Sequence, residues 1–262
     1  MEENKKNYQK LIEQKQKEVQ KEKGSNNLSQ TSRISKEKRF NSVYNAMLRQ
    51  LHIPKRFEDK RINNYKTKTD ENKKALKIVV EYISNFDKHQ EKGDWLVLLG
   101  DYGLGKTHLA LAAARECLKY YAGQFIEKKP FSTHYNGSQK ALFITSSEMV
   151  QSIRDSYDSD KLDELALMKD YKTTRLLILD DLGAEKSSEW QQEKMYLILD
   201  YRYRELLPTI ITTNLYGKEF KAHLSPRVFN RIIEATHQGD LMVGFEGENY
   251  RIRGEEGEKN DD

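Results

Sequence analysis

A glycine-rich run contains the first residues that could do chemistry. Residues 100–107 read Gly-Asp-Tyr-Gly-Leu-Gly-Lys-Thr and satisfy the phosphate-loop pattern G-x-x-x-x-G-K-[ST]. In this pattern the glycines let backbone N–H groups turn towards phosphate oxygens, Lys106 neutralises the β- and γ-phosphates, and Thr107 gives its hydroxyl to Mg²⁺. The sequence therefore predicts a site for ATP and Mg²⁺. Its predicted nucleotide contacts are Gly100, Asp101, Tyr102, Gly103, Leu104, Gly105, Lys106, Thr107 and His108.

Two acids and an amide follow other apolar runs further along the chain. Asp180 ends one such run and is followed by Asp181, while Asn214 follows another. A strand that ends in a carboxylate places that carboxylate beside the Mg²⁺ of a phosphate-loop site, so Asp180 is predicted to bind the metal together with Thr107. Asp181 is predicted to orient or activate the attacking water. Asn214 is predicted to contact the γ-phosphate or that water, although an asparagine after a strand is also a common turn residue.

These side chains require a sheet that brings strand ends together. The candidate strands are short, mostly continuous apolar runs, typical of a parallel sheet covered by helices on both faces. They are 95–100, 141–145, 176–180, 209–213 and 241–245. A helix is predicted over 109–121, after the phosphate loop, and a surface loop over 123–140. Capping boxes indicate two further helix starts, at Thr145 with Glu148 and at Ser188 with Gln191. The apolar face of the second of these helices is predicted to consist of Met195, Ile198, Leu199 and Leu206.

The N-terminal part of the chain has a different composition. Residues 1–75 carry 20 Lys and Arg against 10 Asp and Glu, whereas the remainder carries 25 against 31. Such a basic excess fits either a solvated arm or contact with nucleic acid or an acidic partner. Helices are predicted over 8–22 and 38–52, separated by a flexible linker over 24–33. We expect a helical, partly flexible partner-binding region over 1–52, an ATPase domain over 53–253 and an acidic disordered tail over 254–262.

Composition excludes several protein classes. The single cysteine, Cys117, rules out an intramolecular disulfide and a cysteine-rich zinc site. No apolar run approaches the roughly 18 residues that would cross a bilayer. The N-terminus shows no signal-peptide pattern. We therefore expect a cytoplasmic protein that has no contact with a membrane.

Taken in order, the motifs resemble those of the DnaC/IstB-type AAA+ ATPases. The resemblance runs from about Ile53 to Arg253 and rests on residues 53–57, 100–107, 179–183, 200–203, 208–214 and 245–251. It implies an α/β fold, the three-layer AAA+ sandwich, with a five-stranded parallel sheet in the order 5-1-4-3-2 and a reduced lid. The small helical N-terminal region would precede this domain.

The same resemblance implies roles for four polar residues. Asn214 corresponds to sensor 1 and Arg251 to sensor 2, while Arg227 corresponds to an arginine finger that acts across a subunit interface, with Arg231 one helical turn further on. Self-association through the ATPase domain follows from that finger. The family usually has Gly-Glu before it, where this chain has Ser-Pro. From the sequence alone, each arginine also fits a surface salt bridge.

The resemblance further implies a partner. Members of one branch load the replicative DnaB-type helicase onto single-stranded DNA, and members of the other assist a transposase. A nucleotide-gated adaptor that binds ATP with little turnover is a third interpretation. Many AAA+ proteins have Glu where this chain has Asp181. Because the shorter acid would hold water less well, we expect slow hydrolysis.

Overall fold

A single parallel sheet lies at the centre of the fold. The computed structural model describes residues 10, 14, 30–67, 69–128, 141–159, 161–183 and 188–246. Within them the sheet has five parallel strands in the order β2-β3-β4-β1-β5. This confirms the predicted order 5-1-4-3-2. Arg251 and the predicted tail lie outside the described residues, as does the predicted helix 8–22 apart from Lys10 and Gln14.

Strands and helices alternate from residue 96 onwards. The strands are β1 Leu96–Gly100, β2 Ala141–Thr145, β3 Leu176–Asp180, β4 Thr209–Thr213 and β5 Met242–Phe245. The helices are α1 Gln30–Gln50, α2 Asp70–Ser84, α3 Phe86–Lys92, α4 Lys106–Lys128, α5 Ser146–Ser159, α6 Lys161–Thr173, α7 Glu189–Arg204, α8 Gly217–His223 and α9 Pro226–Ala235. A short 3₁₀ helix, Lys55–Phe57, precedes α2. None of the described helices combines the length and the apolar character that crossing a membrane requires.

Both faces of the sheet are buried under helices. In β1, Leu96 and Leu98 belong to one apolar cluster, with α1, α2 and α4, while Val97 and Leu99 belong to a second, with α5, α6, α7 and α9. Successive side chains of a strand point to opposite faces, so a strand that is apolar throughout needs cover on both sides. The three-layer arrangement is therefore confirmed.

Helix α1 packs into the ATPase core. Val43, Met47 and Leu51 are completely buried and belong to the same cluster as β1 and α4. The backbone N–H of Phe143 donates to the carbonyl of Leu51 at 3.0 Å, which joins the end of this segment to β2. The predicted boundary at 52/53 therefore does not coincide with a gap in the core.

Three local predictions were wrong. The linker predicted over 24–33 fails at 30–33, because α1 begins at Gln30. The loop predicted over 123–140 fails at 123–128, because buried Ala122 and Ile126 continue the packed face of α4. Both predicted capping boxes are confirmed by reciprocal hydrogen bonds. Leu206, expected on the apolar face of the helix after the second box, lies beyond α7 and is 52% exposed.

Candidate functional site

The phosphate loop joins β1 to α4 and has a backbone that only glycine can adopt at two points. Gly100 has φ +150°, and a Cβ there would lie 2.6 Å from the carbonyl oxygen of Phe245. Gly105 has φ +89°, and a Cβ there would lie 2.8 Å from the ring of Tyr65. Any other residue at either position would be both strained and in collision. These glycines therefore fix the turn that starts α4 at Lys106.

Lys106 is buried beneath this turn and bonded to neutral oxygens. Its Nζ donates to the carbonyl oxygen of Gly100, to that of Asp101 at 2.8 Å and to Oδ1 of Asn214 at 2.7 Å. Only 6% of the residue is exposed. A buried ammonium needs hydrogen-bond acceptors, and phosphate oxygens are stronger acceptors than carbonyls because they carry charge. The ammonium group of Lys106 is therefore positioned to bind an anion such as a phosphate.

Asp180 stands at the end of β3 opposite the first turn of α4. Its Oδ1 accepts hydrogen bonds from Oγ1 of Thr107 at 2.9 Å and from Oγ1 of Thr212 at 2.6 Å. Burial raises the pKa of the Asp180 carboxyl, and the two hydroxyl donors partly oppose that rise. The hydroxyl and carboxylate oxygens of Thr107 and Asp180 form a hard donor set of the type that Mg²⁺ prefers.

Asp181 is held in a left-handed backbone conformation with φ +58°. Its N–H donates to Oγ1 of Thr212 at 2.9 Å, and its carbonyl accepts from Oγ of Ser146 at 2.8 Å. Its carboxylate accepts a hydrogen bond from Nδ2 of Asn214. Aspartate tolerates this region better than most residues, because its short polar side chain bonds locally. The backbone therefore gives a physical reason for Asp at this position.

One cavity of about 1000 Å³ contains most of the predicted site residues. It is lined by the loop residues Tyr102, Gly103, Gly105, Lys106, Thr107 and His108, and by Thr145, Asp180, Asp181, Thr212 and Asn214 from strand ends. Of the remaining predicted loop residues, Gly100 and Asp101 supply carbonyls to Lys106, and Leu104 is buried in the core. The parallel sheet thus brings the phosphate loop, both acids and the amide together.

A segment before the sheet closes the other side of this cavity. It contributes Arg56, Phe57, Asp59, Lys60, Asn64, Tyr65 and Lys66. The ring of Tyr65 lies edge-on to that of His108, with centroids 5.3 Å apart. Sequence reasoning did not assign these residues to the site, nor Thr145 or Thr212. The motif at 53–57 was the signal that pointed to this segment, but nothing local in the sequence shows that it folds over the phosphate loop.

The predicted arginines lie elsewhere. Arg227, in the first turn of α9, is exposed and stacks over the ring of Tyr196 at 5.5 Å. Arg231 pairs with Asp200 at 3.0 Å and with Glu234 at 3.2 Å. Neither lines the cavity. Within the described residues, the structure therefore brings no predicted arginine to the phosphate loop of the same chain.

Comparisons with known proteins agree with this geometry. The family model for the bacterial DnaA ATPase domain matches residues 62–235, more than half of the chain. The replicative helicase loader DnaC of Escherichia coli K12 is 25% identical over 235 residues, covering 89% of this chain and 84% of that protein. A putative ATP-binding protein of insertion sequence IS232 from Bacillus thuringiensis is 28% identical over 185 residues, covering 70% of this chain and 65% of that protein. A crystal structure of the DnaC helicase loader matches with a TM-score of 0.55 and 26% identity, covering 74% of this chain and all of that one.

Proposed function

The chain belongs to the family of bacterial DnaA ATPase domains, and from that premise we propose that it loads a replicative DnaB-type helicase onto single-stranded DNA with the use of ATP. One observation carries the proposal. The alignment with the E. coli loader covers 235 residues, which is too long to lie within 62–262. The similarity therefore extends from the ATPase domain into the N-terminal region, where we predict that the partner binds.

For ATP, we propose that Lys106 exchanges its carbonyl and amide partners for β- and γ-phosphate oxygens. The N–H groups of the loop and the N-terminus of α4 would bind the same phosphates. Thr107 and Asp180 would hold Mg²⁺, which supplies positive charge against the phosphate oxygens when it is bound. The hydrogen bond between these two residues already brings a hydroxyl and a carboxylate oxygen to 2.9 Å.

Asn214 connects the two halves of the site. Its Oδ1 accepts from Lys106 and its Nδ2 donates to Asp181, so a single amide spans the lysine and the second acid. We propose that Asp181 positions the attacking water and that Asn214 responds to the γ-phosphate. When Lys106 turns to a phosphate, it gives up its bond to Oδ1, and the amide becomes free to reorient Asp181. Because only ATP carries the γ-phosphate, the response of Asn214 to that group would distinguish ATP from ADP.

The arginine finger would come from a neighbouring subunit. The side chain of Arg227 is exposed, as a residue that reaches into another subunit must be before assembly. Arg231 is already paired with Asp200 and Glu234, so we propose that it fixes the interface rather than contacts the phosphate. Arg251 stays a prediction as the second sensor. Self-association through the ATPase domain is part of this proposal.

The helicase-binding function is best placed at the N-terminal end. The apolar face of α1 is used inside the core, which leaves its polar face for a partner, and we propose that residues 1–29 belong to the same partner-binding region. The basic excess of residues 1–75 favours a nearby strand of single-stranded DNA.

A transposition helper is the second candidate, because the IS232 protein is similar over 70% of this chain. The ATPase domain alone does not separate the two functions, since both need the same nucleotide site. The bound partner separates them. The third interpretation, a nucleotide-gated adaptor, differs from both because it would bind ATP but hydrolyse little of it.

Loading can be tested directly with the full chain. The protein is incubated with the host's replicative helicase and circular single-stranded DNA, and helicase bound to the circles is measured with ATP. We expect loading by the wild type and by Lys77→Ala, a control at a 64% exposed lysine. We expect loss of loading by Lys106→Ala, with capture of the helicase retained.

Other outcomes would overturn the proposal. Capture of a transposase, without capture of the helicase, would establish the transposition helper. ATP affinity without turnover, even with DNA and helicase present, would establish the adaptor. Loading by Lys106→Ala equal to that of the wild type would remove ATP from the mechanism.

A further inference from the structure

Three side chains with metal-binding atoms meet at the edge of the sheet opposite the phosphate loop. Nδ1 of His89 and Nε2 of His237 each lie 2.8 Å from Oδ2 of Asp94. All three ligand atoms lie within 4.8 Å of one another. Asp94 comes just before β1, whereas the phosphate loop follows the last residue of that strand. This cluster is therefore separate from the nucleotide site.

The cluster is held by three different elements. His89 lies on α3, Asp94 follows the end of that helix, and His237 lies in the turn after α9. The backbone N–H of Asp94 donates to the carbonyl of His89 at 2.9 Å, and its carbonyl accepts from the hydroxyl of Tyr82 at 3.0 Å. The ring of His89 stacks on that of Tyr82, with centroids 4.6 Å apart. His89 and Asp94 are thus held in place by each other and by Tyr82.

We propose that His89, Asp94 and His237 form a binding site for a divalent transition metal of the zinc class. Two imidazoles and one carboxylate are ligands that favour zinc-type ions, whereas Mg²⁺ and Ca²⁺ require oxygen ligands throughout. This is the ligand count of a zinc site with an open fourth position. His237 is 43% exposed, so water reaches that position.

The two separations from the histidine nitrogens to Asp94 need only a small adjustment. Metal–ligand bonds of about 2.0–2.1 Å in a tetrahedron place neighbouring ligand atoms about 3.3 Å apart. The observed N–O separations of 2.8 Å must therefore open by about half an ångström. The ion would take the place of the protons shared in the two hydrogen bonds, and each neutral imidazole would carry its remaining proton on the other ring nitrogen.

A bound ion would join parts of the fold that are distant in sequence. It would fix α3 and the start of β1 to the turn that follows α9. The opposite end of α9 carries Arg227. Because an ion that binds only the folded chain adds its binding free energy to folding, the site would act as a metal-dependent clamp on that helix.

The left-handed backbone of His237 allows a matched control. His237 and His52 are both exposed histidines with left-handed backbones, at φ +53° and φ +54°. Asparagine tolerates this conformation, so His237→Asn and His52→Asn perturb the backbone equally while only the first removes a ligand. His89→Gln removes a second ligand from a helix surface.

The experiment measures Zn²⁺ binding to the metal-free full chain by calorimetry, in excess Mg²⁺ to occupy the phosphate-loop site. We expect one equivalent bound by the wild type and by His52→Asn. We expect affinity at least about tenfold lower in His237→Asn and in His89→Gln. Zn²⁺ should raise the melting temperature of the wild type and of His52→Asn but not of the two ligand variants. Co²⁺ should give the visible absorption bands of a tetrahedral site in the wild type and in His52→Asn only.

Two results would overturn the proposal. Equal Zn²⁺ affinity in the wild type and in His237→Asn would place the ion elsewhere. Absence of stoichiometric Zn²⁺ binding to the folded wild-type chain would mean that the cluster is a hydrogen-bonded triad without a metal. Neither result would bear on helicase loading, because the clamp does not depend on that proposal.

Discussion

Two cationic side chains are buried at opposite edges of the sheet, and their partners differ in kind. Lys106, at the carboxyl edge, bonds to two loop carbonyls and an amide beside a large cavity. Arg202, at the amino edge, is completely buried. Its guanidinium donates to the carbonyls of Tyr171, Lys172, Thr174 and Pro208 and to the hydroxyl of Thr209.

The difference distinguishes a cation that stabilises the fold, Arg202, from one that is available to bind a ligand, Lys106. The partners of Arg202 join the end of α6 to the residues just before β3 and to the start of β4. Lys106 and its partner Asn214 line a cavity in which water or a phosphate can replace the hydrogen bond between them. Burial of charge therefore does not by itself identify function. What identifies function is burial next to room for a ligand.

Loss of the buried guanidinium should give the largest effect. We expect Arg202→Met to lower the free energy of unfolding by about 3–5 kcal/mol, because several buried carbonyls lose their donor at once. Arg202→Lys should recover only part of this, since an ammonium lacks the planar fork. Urea unfolding measures both.

A neighbouring arginine provides the control. Arg204 lies on the same helix and is 59% exposed in a pair with Asp200, so Arg204→Met should change stability by less than about 1 kcal/mol. Equal losses of unfolding free energy in Arg202→Met and Arg204→Met would show that the buried hydrogen bonds of Arg202 do not stabilise the fold.

Loss of the lysine should change chemistry and leave the fold intact. We expect Lys106→Ala to lower kcat for ATP hydrolysis by about 100-fold or more, because a charge aimed at the developing phosphate charge is lost. Stability should change by about 1 kcal/mol or less, since water can solvate the carbonyls that the ammonium leaves. Hydrolysis assays and urea unfolding on the same preparation check both. A large loss of stability would make Lys106 a structural cation like Arg202.

The amide that spans the site should give an intermediate effect. Asn214→Ala breaks the connection between Lys106 and Asp181 but leaves the charge of Lys106 in place. We expect kcat to fall by about 10-fold, with KM for ATP changed by less than about threefold. Steady-state kinetics separates the two constants. A rise in KM with kcat unchanged would show that Asn214 only binds the nucleotide.

The sequence predicted the parts of this comparison that depend on local patterns. All five strands were predicted to within one residue, because most are apolar runs bounded by polar residues. The phosphate loop and Asp180 followed from motifs. The segment at 56–66 was missed because it reaches the site through long-range contacts, such as the packing of Tyr65 against Gly105 and the hydrogen bond between His108 and the carbonyl of Arg61. Arg202 lies within the motif at 200–203, yet nothing in the sequence shows that five acceptors surround it.

The extra helical turns were missed for a related reason. Residues 30–33 are polar and carry no apolar anchor, so their helix is an extension of the packed part of α1. The left-handed backbone at Asp181 was also beyond the sequence, since it goes with a hydrogen bond that its N–H donates to Thr212 and one that its carbonyl accepts from Ser146. Because of that conformation, Asp is favoured over Glu at position 181 by the backbone as well as by any role in hydrolysis.

A substitution of the second acid should give the smallest effect on stability and tests this last point. Asp181→Glu should lower the free energy of unfolding by about 0.5–1 kcal/mol, because glutamate is less tolerant of φ +58°. Asp181→Asn keeps the backbone preference and should stay within about 0.5 kcal/mol of the wild type. If the shorter acid limits hydrolysis, Asp181→Glu should also raise turnover. The same substitution would then lower the stability of the fold and increase the rate of hydrolysis. A fall in turnover would contradict the expectation of slow hydrolysis and would show that the backbone, rather than the reach of the acid, decides which residue works there.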